Sequence, residues 1–76
     1  MQEKLIHLRQ VFGYTQQFMA DALRITKRTY QNKEAGTSLF TSEEMFTIAK
    51  LFGKNLDDIF LPTFHQIGEK EDNENL

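Results

Sequence analysis

The chain has 76 residues, no cysteine and a formal net charge of -2. A chain this short supports one domain and buries only about 60% of its unfolded surface, which favours binding at a surface over chemistry in an enclosed pocket. Disulfides and thiolate zinc sites are excluded, no apolar run approaches the roughly 18 residues that cross a bilayer, and no basic region precedes an apolar core at the N-terminus, so a soluble, cytoplasmic protein without a membrane partner is expected.

The charge is unevenly placed. Residues 1–61 carry eight Lys or Arg against seven Asp or Glu, whereas residues 62–76 carry one Lys against four acids. What attracts a polyanion is the local field of a face rather than the sum over the chain. The window from Ala22 to Lys33 holds Arg24, Lys27, Arg28 and Lys33 and no acid.

Leu5, Leu8 and Phe12 repeat at helical spacing and Gly13 follows as a C-terminal stop, which predicts a first helix over about Gln2 to Phe12. Thr15 can cap a second helix that ends near Leu23, with Phe18, Met19, Ala22 and Leu23 on one face. Thr26 is a second cap, so a third helix can begin at Lys27 after only Arg24 and Ile25, and the two helices must cross steeply. Thr41, with Glu44 three residues on, forms a capping box for a helix over about Ser42 to Phe52 whose buried stripe is Met45, Ile48, Ala49 and Phe52. Asn55 precedes a last helix over about Leu56 to Leu61, with Asp57 and Asp58 at its positive end and Leu56, Ile59 and Phe60 closing the core. Tyr14 with Met19, Ile25 with Tyr30 and Phe40 with Met45 each have the spacing of a hydrophobic staple. From Glu69 onward the chain is charged and aperiodic, and disorder is expected there.

A short basic helix propped by another helix suits the reading of DNA. In that order and spacing, LRQ at Leu8 to Gln10, GYTQ at Gly13 to Gln16, Ala20, KEAG at Lys33 to Gly36 and IAKLFGKNLDDIF at Ile48 to Phe60 resemble the Cro/CI-type, or XRE-like, helix-turn-helix family of phage and bacterial transcriptional regulators, over about Leu5 to Phe60. The resemblance implies an all-α, compact five-helix, lambda-repressor-like domain over residues 1–61 with the helix-turn-helix at helices 2 and 3, followed by an acidic extension over 62–76. It implies a double-stranded DNA partner, a palindromic operator and a homodimer, because one recognition helix covers few base pairs and two copies sit about 34 Å apart. Helix five and the segment Pro62 to Gly68, with Phe64 and Ile67, are the candidate pairing surface. The trailing acidic end favours a complete small regulator over the DNA-binding piece of a longer repressor.

Carried over by position, the resemblance makes Lys27, Arg28 and Asn32 the base readers, with Thr29 and Gln31 beside them. The chemistry of these side chains suits that role, because Arg and Lys donate to guanine O6 and N7, and Asn pairs with N7 and N6 of adenine. Gln16 matches the family glutamine that binds a phosphate from the start of its helix, and Thr15, Lys33, Thr37 and Ser38 are further phosphate candidates. Arg9 and Glu34 match a buried structural ion pair. The position held by Arg24 is commonly glycine in relatives, because the backbone there tends to be left-handed; either arginine accepts that conformation or the turn is built differently. Gly36 is expected to supply the left-handed cap after the third helix.

Other chemistries find little support. His7 and His65 are far apart with no cysteine, and neither a Ser-His-Asp order with supporting turns nor a phosphate loop is present, so no metal, cofactor, small-molecule substrate or enzymatic activity is implied. The rival reading is a protein-interaction module on the same fold, such as an antitoxin or anti-repressor component, anchored by Phe40, Phe46 and Phe64.

Overall fold

The computed structural model describes residues 1–60 as five helices with no strand: α1 (Glu3–Phe12), α2 (Gln16–Leu23), α3 (Lys27–Ala35), α4 (Ser42–Phe52) and α5 (Leu56–Ile59). The expected pairing segment around Phe64 and Ile67 and the acidic end lie outside the described residues.

Each helix boundary follows from local chemistry. Thr15, Thr26 and Thr41 all hold extended backbone, and their hydroxyls accept from the N–H groups of Phe18, Thr29 and Glu44 respectively. The carboxylate of Glu44 returns to the Thr41 N–H at 2.9 Å, completing the capping box. Asn55 takes the N-cap position of α5 without a side-chain cap bond.

The ends of the first four helices share one device. Tyr14 N–H donates to Arg9 O while Gly13 N–H donates to Gln10 O, and the same pair of bonds recurs with Ile25 and Arg24, Thr37 and Gly36, and Lys54 and Gly53. This is the Schellman arrangement, which requires a left-handed residue at the turn. Three of those residues are glycine; the other is Arg24, at φ 60 and ψ 42. Arginine has therefore accepted the left-handed conformation, and the turn keeps the geometry that glycine would give it. The junctions α1–α2, α2–α3 and α4–α5 are each three residues long: the left-handed residue, one residue that closes the Schellman bond, and the N-cap of the next helix.

The core gathers Leu5, Met19, Ala20, Tyr30, Phe40, Met45, Ile48, Phe52, Ile59 and Phe60, with Leu8, Tyr14, Leu23, Ile25, Ala49, Leu51 and Leu56 packed against it. Both members of each expected staple lie in or against this cluster. The Phe40 ring stands edge-on between Tyr30 and Phe60, at centroid distances of 6.1 and 5.4 Å. α2 and α3 pack closely on each other, while α1 and α4 both rest on α5.

The fold departs from the sequence expectations in three places. Gln2 is the N-cap of α1 rather than its first residue, and its N–H donates to Glu34 O at 3.0 Å, tying the chain's start to the end of α3. α5 stops at Ile59, because Phe60 turns to extended backbone and buries its ring, and Pro62 disfavours helix at the residue before it. Phe12, Phe18 and Ala22 are not core residues: Phe12 and Phe18 are 41% and 43% exposed and Ala22 is also exposed, while Ala20 takes the buried position beside Met19. Phe12 and Phe18 instead flank Tyr14 in a surface aromatic cluster that reaches Phe52.

The left-handed backbone at Arg24 costs about 1–2 kcal/mol relative to the right-handed form. Arg24→Gly removes that cost but loosens the unfolded chain by about 0.4–1 kcal/mol. The substitution should therefore stabilise the domain by about 0.5–1 kcal/mol, seen as a rise of a few degrees in thermal midpoint. Gly36→Ala should do the reverse, costing more than about 1 kcal/mol, because φ there is +92 and a Cβ would stand 2.9 Å from the Met1 nitrogen.

Candidate nucleic-acid interface

The site is built on α3, and its geometry begins at the residue that holds α3 from behind. Glu34 is buried, and four donors converge on its carboxylate: Arg9 Nε at 2.8 Å and Tyr30 Oη at 2.7 Å on Oε2, Gln16 Nε2 at 2.9 Å and Arg9 Nη2 at 3.4 Å on Oε1. A carboxylate has about four lone-pair sites, so Glu34 is saturated. Arg9 also donates from Nη1 to Tyr14 O at 3.0 Å, which joins α1, the α1–α2 junction, α2 and α3 at one anion. The family resemblance points to the Arg9–Glu34 pair but not to the contributions of Tyr30 and Gln16. Tyr30 sits one turn before Glu34 on the same helix, a spacing that could have signalled the bond.

Burial first, and then the adjacent Glu34 carboxylate, push the Tyr30 phenol well above its usual value near 10. Tyr30 is therefore a neutral donor throughout the neutral range.

The remaining residues of α3 divide by face. At about 100° per residue, Tyr30, Lys33 and Glu34 point inward, and the opposite side carries Arg28 at its centre with Gln31 and Asn32 on its flanks. Lys27 and Arg28 are exposed, Gln31 and Asn32 are half-buried, and the side chains of Lys27, Arg28 and Asn32 make no hydrogen bond among the described residues. Lys27 lines a shallow cleft with Thr15, Gln16 and Gln17 at the start of α2. Thr29 lies off the outward centre and its hydroxyl accepts from Thr26 Oγ1 at 2.9 Å. Gln31 Nε2 donates to Gln16 Oε1 at 3.0 Å.

Among the phosphate candidates, Thr15 and Gln16 stand at the start of α2, where Thr15 is exposed and Gln16 half-buried. Thr37 and Ser38 are exposed just past α3; the Thr37 hydroxyl donates to Asn32 O at 2.9 Å. Lys33 departs from the expectation. Its side chain is buried on the inner face, where the ammonium donates to Glu44 Oε1 at 2.8 Å and to Leu39 O at 3.1 Å and lies 5.9 Å from the Phe40 ring centre. A lysine whose charge is neutralised inside the fold offers nothing to a phosphate; it ties α3 to α4 instead. The exposed cations of α3 are thus Lys27 and Arg28, while the exposed Arg24 of the preceding turn lines a cleft with Glu43 and Glu44. Phe40, one of the three anchors of the rival reading, is buried in the core, while Phe46 is 60% exposed.

A left-handed three-residue turn between two helices packed on each other, the second presenting polar and basic groups outward, defines a helix-turn-helix DNA-binding domain. The helix-turn-helix family model matches residues 5–59, and the chain belongs to that family, the XRE-like group of DNA-binding transcriptional regulators. No curated protein and no solved structure gives a significant match. No helix among the described residues is long and apolar enough to cross a membrane.

Removing the Tyr30 hydroxyl, as in Tyr30→Phe, should cost about 1–3 kcal/mol at neutral pH, the worth of a buried hydrogen bond to a charged group. Because the folded state keeps the Tyr30 proton where the unfolded state loses it, stability is fully present below about pH 10 and falls as pH rises beyond it, by up to about 1.4 kcal/mol per unit. Denaturant titrations at several alkaline pH values should show this steep limb in the parent chain and a shallower one in Tyr30→Phe.

Proposed function

We propose that this protein is a sequence-specific transcriptional regulator of the phage Cro/repressor type, acting in the cytoplasm, whose α3 enters the major groove of a palindromic operator. The observation that carries this reading is the outward face of α3. Arg28 and Asn32 stand there without side-chain partners among the described residues, with Lys27 exposed and unpaired beside them in the helix's first turn, on a helix that Glu34 and Lys33 clamp from behind. Preorganised, unsatisfied donors on a rigid helix are what recognition of base edges requires. In this reading Arg28 and Lys27 address guanine and Asn32 addresses adenine, with Thr29 at the margin. The start of α2, with Thr15 and Gln16, sits on one phosphate strand, and Thr37 and Ser38 reach the other side of the groove. Two copies bind, one per half-site, about 34 Å apart.

Selection of bound duplexes from a random pool tests the reading directly. It should return an inverted repeat, and the affinity for it should fall steeply with added salt, since phosphate contacts release counterions. A chain that retains no duplex, or whose binding ignores salt, would remove the proposal and favour a protein partner docked on exposed apolar groups such as Phe46.

Arg28→Ala should weaken operator binding by about 1–3 kcal/mol and relax the preference at one base pair per half-site. An unchanged preference at every position would show that Arg28 reads nothing.

A further inference from the structure

The amides of Gln16 and Gln31 form a chain that begins at Glu34. Glu34 is ion-paired with Arg9 at 2.8 Å, and a carboxylate only accepts hydrogen bonds, so the group that Gln16 turns toward it at 2.9 Å must be its NH2. The Gln16 carbonyl oxygen then faces the other way, toward Gln31. An oxygen only accepts, so Gln31 must present its NH2 at 3.0 Å. The buried charge thereby fixes the direction of both amides, an assignment that the hydrogen-bond network dictates. What Gln31 has left is its carbonyl oxygen and its second N–H, neither with a partner among the described residues, on a helix face it shares with Arg28 and Asn32.

We propose that Glu34 acts through Gln16 to hold the Gln31 amide in one orientation, and that Gln31 so held reads an adenine. The inference rests on the reading of α3 as the groove-facing helix. An amide with one free N–H and a free carbonyl oxygen matches the major-groove edge of adenine, donating to N7 and accepting from the N6 amino group. A freely rotating glutamine could turn the same two atoms around; the relay removes that choice, together with the entropy cost of ordering a flexible side chain at the moment of binding. Gln16 is then a positioning residue for Gln31 as well as a neighbour of the phosphate backbone.

The test uses the full 76-residue chain and competition among duplexes that vary one base pair at a time around the selected site. The parent chain should prefer adenine at one position per half-site. Gln31→Ala should flatten that preference by roughly 5- to 100-fold and leave the other positions unchanged. Gln31→Glu, which keeps an acceptor and loses every donor, should move the preference toward cytosine, whose N4 amino group donates. Gln16→Ala, one residue removed from the base, should flatten the same position, whereas a merely structural role would weaken all duplexes alike. Should Gln16→Ala fail to fold, the two Gln31 variants still decide the assignment. An unaltered preference in both Gln31 variants, or an adenine preference that survives Gln16→Ala, overturns the proposal while α3 remains the reader. A parent chain that selects no sequence overturns the reading of α3 itself.

Discussion

The carboxylate of Glu34 is the point through which α1, α2 and α3 are held in one arrangement. A buried anion is tolerated only when its hydrogen-bonding capacity is filled, and here a guanidinium, a phenol and an amide fill it from three helices. The requirement works in both directions: the charge needs the helices to converge, and their convergence fixes the slant of α3. Removing Arg9 would leave the anion uncompensated, and breaking a buried pair in this way typically costs about 3–5 kcal/mol, a large share of what a domain this small possesses. On the far side of α3 the Lys33–Glu44 pair performs a second, independent fixation against α4. α3 is thereby held along its inner side at two successive residues while its outer side stays open.

The division of labour along α3 follows from that constraint. Every third or fourth residue serves the interior, and of the polar and basic groups that remain, Lys27, Arg28 and Asn32 have side chains with no hydrogen bond among the described residues. Membership of the XRE-like helix-turn-helix family makes the domain a DNA-binding one, and the proposed reading assigns that role to this face. The geometry adds a link between the interior and the proposed reading face, since Glu34 connects through Gln16 to the amide of Gln31.

Much of the fold is legible in the sequence because it is written in short-range chemistry. Thr15, Thr26 and Thr41 announce helix starts through hydroxyls that reach only three residues, and Gly13 and Gly36 announce helix ends through backbone freedom. Side chains that are long or amphipathic are harder to place. Lys33 reads as one more cation in a basic window, and nothing within a few residues reveals that Glu44, eleven positions on, neutralises it. Phe12 and Phe18 read as core because aromatics at helical spacing usually are, yet in a domain this small the interior fills with Tyr30, Phe40, Phe52 and Phe60 and leaves them half outside. The end of α5 is obscured for a similar reason: burying the Phe60 ring against Phe40 outweighs continuing the helix. Arg24 could have gone either way on local grounds, and it is the Schellman bonds from the turn that hold it left-handed.

The three-residue junctions have a mechanical meaning. Where one residue closes the preceding helix, the next completes that closure and the third opens the following helix, no torsion angle is left over to act as a hinge. Two surfaces that meet must match, and if one of them cannot flex, the other supplies the adjustment. On the proposed reading, the energy of fit then falls on the duplex, whose local stiffness and groove width enter the choice of site even at base pairs that no side chain touches.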